Sequence, residues 1–217
     1  MKVYAAGGGI AATNCYLIVD EETKQCVLFD APDHTVGPLL DRIRDSGWNL
    51  VGLWLTHGHF DHVADHKVVR DAFPDVKILI HKLDEPKLVN PTTRFFQLPF
   101  VIPPGHADEL IEDGQELQFG NLKCRVIHTP GHSPGHVCFY FAADQVLVGG
   151  DLIIGGAVGR YDLPDSNLDD LVESVRKVMK LPLDTVLLPG HGNGQTLGDE
   201  LASNPYVRQM VESGGLA

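Results

Sequence analysis

The stretch from Thr56 to His62 constrains this chain more than any other part of its sequence. It is Thr-His-Gly-His-Phe-Asp-His, so four side chains that can bind a metal ion fall within six residues. An apolar run from Val51 to Leu55 precedes it directly and predicts a buried strand that opens into a loop. A polar loop that merely happens to be rich in histidine is a poor alternative, because the spacing is unusual. We therefore expect a metal site at the end of this strand.

The spacing inside this motif predicts how the side chains divide. His57 and His59 are two residues apart, so in an extended loop they point to the same side. Two imidazoles on one side can bind a borderline-soft cation such as zinc. Asp61 continues the alternation, but His62 is out of phase with it, which suggests a second metal position beside the first. Paired ions that share a hydroxide give a strong nucleophile at neutral pH.

Three further candidate ligands share one layout, in which an apolar strand-like run is followed by His or Asp with Gly or Pro alongside. His132 follows the run 124–127, Asp151 follows the run 145–150, and His191 follows the run 185–188. Side chains at strand ends are held by a rigid scaffold and stay open to substrate. The three residues are therefore expected to complete the ligand set.

Taken in order, His-x-His-x-Asp-His, Gly-His, Gly-Asp and Pro-Gly-His-Gly resemble the motifs of the metallo-β-lactamase superfamily. The resemblance implies an α/β fold, the four-layer αββα sandwich of that superfamily. It also implies two divalent metal ions, with zinc expected and iron or manganese as alternatives. By the same resemblance, the first ion is bound by His57, His59 and His132, the second by Asp61, His62 and His191, and Asp151 bridges both.

The segment Gly159–Pro164 and the C-terminal part of the sequence are similar to the glyoxalase II-like branch, in its short bacterial form. This similarity implies a thioester hydrolase that acts on S-acylglutathione, such as S-lactoylglutathione. The hydroxide shared by the metals would attack the thioester carbonyl, with Asp61 or Asp151 as the catalytic carboxylate that orients it. Long glyoxalase II enzymes also carry a C-terminal helical domain that holds glutathione. The sequence ends at Ala217 without one, so it leaves the thiol carrier open.

Other functions fit the same motifs. A mononuclear iron persulfide dioxygenase belongs to the same branch and would use two His and one Asp. A lactonase or a β-lactamase is also compatible with the ligand set. A non-catalytic metal-binding protein is disfavoured, because seven retained metal ligands have no role in packing.

Three residues are predicted to contact the substrate. Arg160 lies shortly after Asp151 and could bind a substrate carboxylate bidentately. An internal ion pair between Arg160 and Asp162 is an equally good interpretation. Tyr161, beside Arg160, and Phe60, inside the His motif, are the other two predicted contacts.

Several residues outside the ligand set invite a hypothesis. His66 and His136 are expected to support ligands or to lie at the surface. Asp30 and Asp33, near Pro32, are expected to form a turn at the edge of the metal face, with support of a ligand as the alternative. The segment Asn90–Asp108 contains four prolines and the aromatic residues Phe95, Phe96 and Phe100. A long loop of this kind is usually functional, so we interpret it as a wall of the substrate pocket, with a packed surface crossover as the alternative.

Bulk properties exclude whole classes of partner. A chain of 217 residues with 43% hydrophobic composition can build a sizeable core, and we expect one domain over residues 1–217. The net charge of −12 argues against nucleic acid, whose phosphates demand a basic surface. No apolar run is long enough for a membrane span, and the first residues lack the apolar stretch of a signal peptide. A cytoplasmic enzyme with a small-molecule substrate, neither nucleic acid nor membrane, is therefore expected. The four cysteines are expected to be buried free thiols.

Periodicity also predicts individual elements. Strands are expected near residues 2–6, 14–19 and 25–30, then the strand into the His motif, and later strands near 77–80, 145–150 and 185–188. Hairpin-like strands are expected within 115–144. Helices are expected near residues 36–45, 63–73, 168–179 and 204–212.

Overall fold

The computed structural model describes residues 1–91 and 97–212. The chain forms two compact units. The N-terminal unit comprises residues 1–111 and 118–122, and the C-terminal unit comprises residues 112–117 and the chain from Lys123 onward. The expectation of one domain over residues 1–217 stays a prediction.

The N-terminal unit is built on a six-stranded sheet whose strands follow one another in chain order. The strands are β1 (Lys2–Gly8), β2 (Thr13–Asp20), β3 (Gln25–Phe29), β4 (Asn49–Trp54), β5 (Lys77–His81) and β6 (Glu109–Ile111). β1, β2 and β3 pair antiparallel, and β3 to β6 pair parallel. The parallel connections contain the helices α1 (Gly37–Ser46), α2 (Phe60–Val63), α3 (His66–Ala72) and α4 (Glu85–Val89). Since parallel strands end at the same edge, the residues that follow β3, β4 and β5 lie close together there.

Helix α1 illustrates how the sequence dictates this unit. Leu39, Leu40 and Ile43 recur at helical spacing and are all buried in the core of the N-terminal unit. Gly47 ends the helix in the left-handed conformation with φ of 64°, and its N–H donates to the Arg44 carbonyl. The helix predicted near residues 36–45 is thereby confirmed.

The C-terminal unit carries the second six-stranded sheet, in the order β14-β13-β10-β9-β8-β7. Its strands are β7 (Glu116–Phe119), β8 (Leu122–His128), β9 (Val137–Phe141), β10 (Val146–Gly150), β13 (Val186–Pro189) and β14 (Gln195–Thr196), with a small hairpin of β11 (Ile153–Ile154) and β12 (Ala157–Val158). β10 and β13 are parallel, so the residues after both strands lie side by side. The helices are α5 (Leu168–Val178), α6 (Leu197–Ser203) and α7 (Pro205–Glu212).

The helices of this unit have clear start signals. The Asn167 side chain caps α5 by accepting the Asp170 N–H. Thr196 and Asp199 form a reciprocal capping box at the start of α6. The helices predicted near 168–179 and 204–212 are confirmed as α5 and α7.

One predicted helix is wrong in its continuity. Residues 63–73 were expected to form a single helix, but α2 ends at Val63 and α3 begins at His66. The Asp65 N–H donates to the Ala31 carbonyl at 2.8 Å rather than to a helical carbonyl, which interrupts the helical hydrogen bonds. The short helices α4 and α6 and the two- and three-residue strands were not predicted.

Candidate metal centre

The His motif forms a cluster within the N-terminal unit. The rings of His57 and His62 are 4.1 Å apart, and those of His57 and His59 are 4.7 Å apart, measured between centroids. The His62 Nε2 lies 3.5 Å from the Asp61 Oδ2. His57, Asp61 and His62 are buried, and His59 is half-buried. The four residues of the motif predicted as ligands are therefore brought together.

Asp30 fixes the ring orientation of two of these histidines. It follows β3 in the left-handed conformation with φ of 60°, which Asp tolerates better than most residues. One carboxylate oxygen accepts the Thr56 N–H, and the other accepts both the Thr56 hydroxyl and the His62 Nδ1–H, all at 2.8 Å. Because the Thr56 hydroxyl donates its only hydrogen to Asp30, it accepts the His57 Nδ1–H at 3.0 Å. Both imidazoles therefore keep their lone pair on Nε2, the state a metal ligand requires.

Asp61 is also held from outside the motif. The Thr13 hydroxyl, at the start of β2, donates to the Asp61 Oδ2 at 2.7 Å. Thr13 is buried, so this hydrogen bond is protected from solvent. Sequence reasoning missed Thr13, because 48 residues separate it from Asp61.

The C-terminal unit brings the other three predicted ligands together around Asp151. The Asp151 Oδ2 lies 3.4 Å from the His132 Nε2 and 3.2 Å from the His191 Nε2. Asp151 follows β10 and His191 follows β13, the parallel neighbours, and the Gly190 N–H donates to the Gly150 carbonyl at 2.7 Å. The carboxylate therefore lies beside two histidines from different strand ends.

Hydrogen bonds fix these side chains as well. The His132 Nδ1–H donates to the Arg160 carbonyl at 2.9 Å, which leaves the lone pair on Nε2 towards Asp151. The Asp151 N–H donates to the His136 Nε2 at 3.0 Å, and the His136 Nδ1–H donates to the Thr129 hydroxyl at 2.8 Å. With both ring nitrogens used, His136 supports Asp151 rather than binding metal, in agreement with its expected role.

One side of α5 holds the loop that carries His132. Three donors bind carbonyls between the end of β8 and His132: the Lys177 ammonium to His128 at 3.0 Å, the Ser174 hydroxyl to Pro130 at 2.7 Å, and the backbone N–H of the N-cap residue Asn167 to Gly131 at 2.7 Å. Gly131 has φ of 132°, and a Cβ there would collide with the backbone of Leu171. Only glycine therefore allows the loop to lie this close to the helix.

The three predicted substrate contacts, Arg160, Tyr161 and Phe60, differ in their exposure and in their partners. The Arg160 guanidinium donates to both carboxylate oxygens of Asp162 at 2.9 Å, the ion pair that the sequence offered as the alternative. This pair is exposed, and it holds the pKa of Asp162 below its usual value. Tyr161 is exposed, and Phe60 is half-buried at the start of α2. A substrate role for Arg160, Tyr161 and Phe60 stays a prediction.

The segment Asn90–Asp108, which was predicted to form a wall of the substrate pocket, is described for residues 90–91 and 97–108. Phe95 and Phe96 lie outside the described residues, and Phe100 packs edge-on against His34 with ring centroids 5.9 Å apart. His66 is buried, and its Nδ1–H donates to the Val63 carbonyl at 2.8 Å. Burial lowers the pKa of His66. The Gly105 N–H donates to the Leu88 carbonyl at 2.9 Å, which fixes the second half of the segment.

The donor set fits divalent cations. Imidazole nitrogens with carboxylate oxygens are ligands that zinc and iron accept. In each unit the Nε2 lone pair of a histidine faces a carboxylate oxygen, at 3.5 Å for His62 and at 3.4 Å for His132. Two acceptors repel one another unless a proton or a cation neutralises them. His and Asp clusters with this chemistry are suited to metal binding.

Two bulk predictions can be compared with the structure. All four cysteines are free and buried, as predicted, and burial raises each thiol pKa to about 12. Among residues 1–91 and 97–212, no helix combines the length and apolar character needed to cross a bilayer.

Comparison with known proteins is consistent with this geometry. The family model of the metallo-β-lactamase superfamily matches residues 8–191. The hydroxyacylglutathione hydrolase GloC of Haemophilus influenzae is 32% identical over 203 residues, which cover 89% of this chain and 92% of that protein.

Two solved structures extend the comparison to the fold. The crystal structure of the B3 metallo-β-lactamase BLEG-1 is 30% identical and has a TM-score of 0.88, with 95% of this chain and 99% of that chain covered. The di-iron-bound form of TTHA1623 is 36% identical and has a TM-score of 0.83, with 94% and 99% covered. These structures confirm the predicted α/β fold class. The chain therefore belongs to the metallo-β-lactamase superfamily, and this membership indicates a metal-dependent hydrolase.

Proposed function

We propose that the chain is a dinuclear metal hydrolase that cleaves thioesters. The substrate class is S-acylglutathione, such as S-lactoylglutathione, and the partner is a small molecule. The similarity to the glutathione thioester hydrolase of Haemophilus influenzae, over 89% of this chain, supports this assignment. The segment Gly159–Pro164, which resembles the glyoxalase II-like branch, also supports it.

The ligand assignment follows the superfamily pattern. His57, His59 and His132 would hold one ion, Asp61, His62 and His191 would hold the other, and Asp151 would be a ligand of both. The observation that carries this proposal is the position of the Asp151 carboxylate, 3.4 Å from the His132 Nε2 and 3.2 Å from the His191 Nε2. This position beside one proposed ligand of each ion supports the assignment of Asp151 to both ions.

The chain's own residues prepare the reaction. When bound, the metal pair supplies water of lowered pKa and stabilises developing negative charge. Asp61 or Asp151 orients the attacking water, and the Thr13 hydroxyl keeps the Asp61 carboxylate in position. Water adds to the thioester carbonyl and the C–S bond breaks, which gives a carboxylic acid and a thiol. The thiolate is a good leaving group and needs little acid catalysis.

Substrate binding is assigned to Arg160, Tyr161 and Phe60. The Arg160 guanidinium already binds one carboxylate through two hydrogen bonds, that of Asp162. A carboxylate of the substrate could replace Asp162 with the same bidentate geometry. Arg160 then contributes to affinity for anionic thioesters.

Metal content and a substrate panel test the proposal together. Protein purified without added metal should contain two divalent ions per chain, zinc or iron, and should hydrolyse S-lactoylglutathione faster than an oxygen ester of the same acid. His191→Ala should lose one ion and the hydrolysis, whereas Asp199→Asn, an exposed capping residue, should keep both. One iron per chain with oxygen consumption on a glutathione persulfide would instead support the dioxygenase alternative and overturn the proposal.

A further inference from the structure

The carboxylate of Asp84, at the start of α4, binds the loop of the His motif. Asp84 is the N-cap residue of α4, yet its side chain does not make the usual capping hydrogen bond to the backbone of that helix. One oxygen accepts the Gly58 N–H at 2.8 Å, and the other accepts the Lys87 ammonium at 2.9 Å. The Asp84 side chain is completely buried.

Gly58 is the single residue between His57 and His59, so its amide orientation is tied to theirs. The loop and the start of α4 approach very closely at this point. A Cβ on Gly58 would lie 2.7 Å from the Asp84 carbonyl oxygen and 2.8 Å from the Lys87 Cβ. The contact arises because Gly58 follows β4 and Asp84 follows β5, and these parallel strands are neighbours.

The chemistry of this contact favours a rigid loop. A hydrogen bond from an amide to an ionised carboxylate is stronger than one to a neutral acceptor. A buried carboxylate needs such partners, because unpaired burial of a charge is costly. Lys87 and the Gly58 amide together meet that need, so the loop is coupled to α4 by a hydrogen bond that water cannot easily replace.

We infer that Asp84 is a positioning residue for metal binding by His57 and His59. It acts through the Gly58 amide and is not itself a ligand. Without it, the two imidazoles must be ordered when the ion binds, and metal affinity falls. This inference rests on the proposed ligand role of His57 and His59.

Zinc affinity of the folded protein tests the inference, measured by competition with a chromophoric chelator. Asp84→Ala should lower zinc affinity by about 10–100-fold, the usual cost of losing a group that orients a ligand. Asp84→Asn keeps an oxygen for the Gly58 N–H and should restore most of the affinity. Asp71→Asn removes one charge from an exposed ion pair on α3 and is the matched control, with no expected effect.

Two further measurements separate positioning from general stability. Urea unfolding of the metal-free variants reports stability, and hydrogen exchange of the Gly58 amide by NMR reports the contact itself. Asp84→Ala should speed Gly58 exchange. If it leaves zinc affinity unchanged, or lowers it only in step with the unfolded fraction, the inference is wrong.

Asp84→Asn decides the question if Asp84→Ala does not fold. If Gly58 exchanges in Asp84→Asn at the wild-type rate but zinc affinity is still lost, Asp84 acts through its charge. That result would overturn the inference. Zinc affinity is measured without substrate, so it is independent of the reaction. A chain that binds zinc normally but hydrolyses no thioester would refute the proposed function and leave the role of Asp84 intact.

Discussion

Asp30→Asn should disable His62 as a ligand with almost no change in shape. The substitution replaces one carboxylate oxygen by an amide NH2. In the wild type this oxygen accepts two hydrogen bonds, from the Thr56 hydroxyl and from the His62 Nδ1–H. The remaining oxygen can still accept the Thr56 N–H. The new NH2 group must donate, so the His62 Nδ1 becomes an acceptor and the proton moves to Nε2. A protonated Nε2 has no lone pair for a metal.

The expected loss of metal affinity follows from the two histidines, His57 and His62, that Asp30 orients. Loss of an orienting partner usually lowers metal affinity by about 10–100-fold, or about 1.4–2.8 kcal/mol. The loss should fall mainly on the ion assigned to His62, with a smaller effect through Thr56 on His57. Asp30→Ala is a harsher change, because it leaves buried donors without an acceptor, and should cost about 3–5 kcal/mol of folding stability.

Two measurements on Asp30→Asn check the reasoning. Chelator competition gives the affinities for the first and second ion, and NMR of the imidazole nitrogens gives the tautomer of His62. Asp33→Asn is the control, because this substitution removes the same charge from the same loop. Asp33 accepts the Ile10 N–H instead of a histidine N–H. If His62 keeps its proton on Nδ1, or both ions bind Asp30→Asn as tightly as wild type, the assignment of Asp30 is refuted.

The remaining predictions concern other parts of the site. Gly131→Ala should cost about 3 kcal/mol or more, because its Cβ collides with the backbone of Leu171; a urea midpoint equal to wild type would contradict this. Arg160→Ala should keep full metal content and raise KM for an anionic thioester more than it lowers kcat, whereas metal loss or unfolding would favour a purely structural ion pair. Asp151→Ala should lose both ions, and two-ion occupancy by elemental analysis would refute the bridge. The pKa of His66 is lowered by burial, so the unfolded chain binds the proton more readily. The stability that His66 provides should therefore be present above pH ~6.5 and should fall as pH drops below it towards the lowered pKa. Urea unfolding of the metal-free protein should show a flatter pH dependence in His66→Gln, and equal slopes would count against this.

The sequence identified the side chains that cluster in the candidate site much better than it identified the residues that hold them in place. Imidazole and carboxylate groups can be identified in a sequence by residue type and spacing, so the His motif, Asp151 and His191 could be found as candidate ligands. Their supports come from far along the chain, as with Thr13, or from a backbone carbonyl, as with Arg160. Neither kind of support leaves a local pattern.

The same contrast holds for the elements of the fold. Long periodic segments such as α1 and α5 were predicted almost to the residue. The helices α4 and α6 are too short for a periodicity to stand out. The break between α2 and α3 depends on the Ala31 carbonyl, more than thirty residues earlier, and no local rule could anticipate it.

The four buried cysteines have a consequence for the proposed thioester hydrolysis. A thioester can acylate any accessible thiolate by exchange, and an enzyme with the proposed activity would meet such compounds continually. With a thiol pKa of about 12 at Cys15, Cys26, Cys124 and Cys138, only about one thiol in 10⁵ is ionised at neutral pH. The folded chain should therefore resist acylation of its cysteines by thioesters. A single cysteine introduced at the surface would then be the one position that a thiol-directed label reaches.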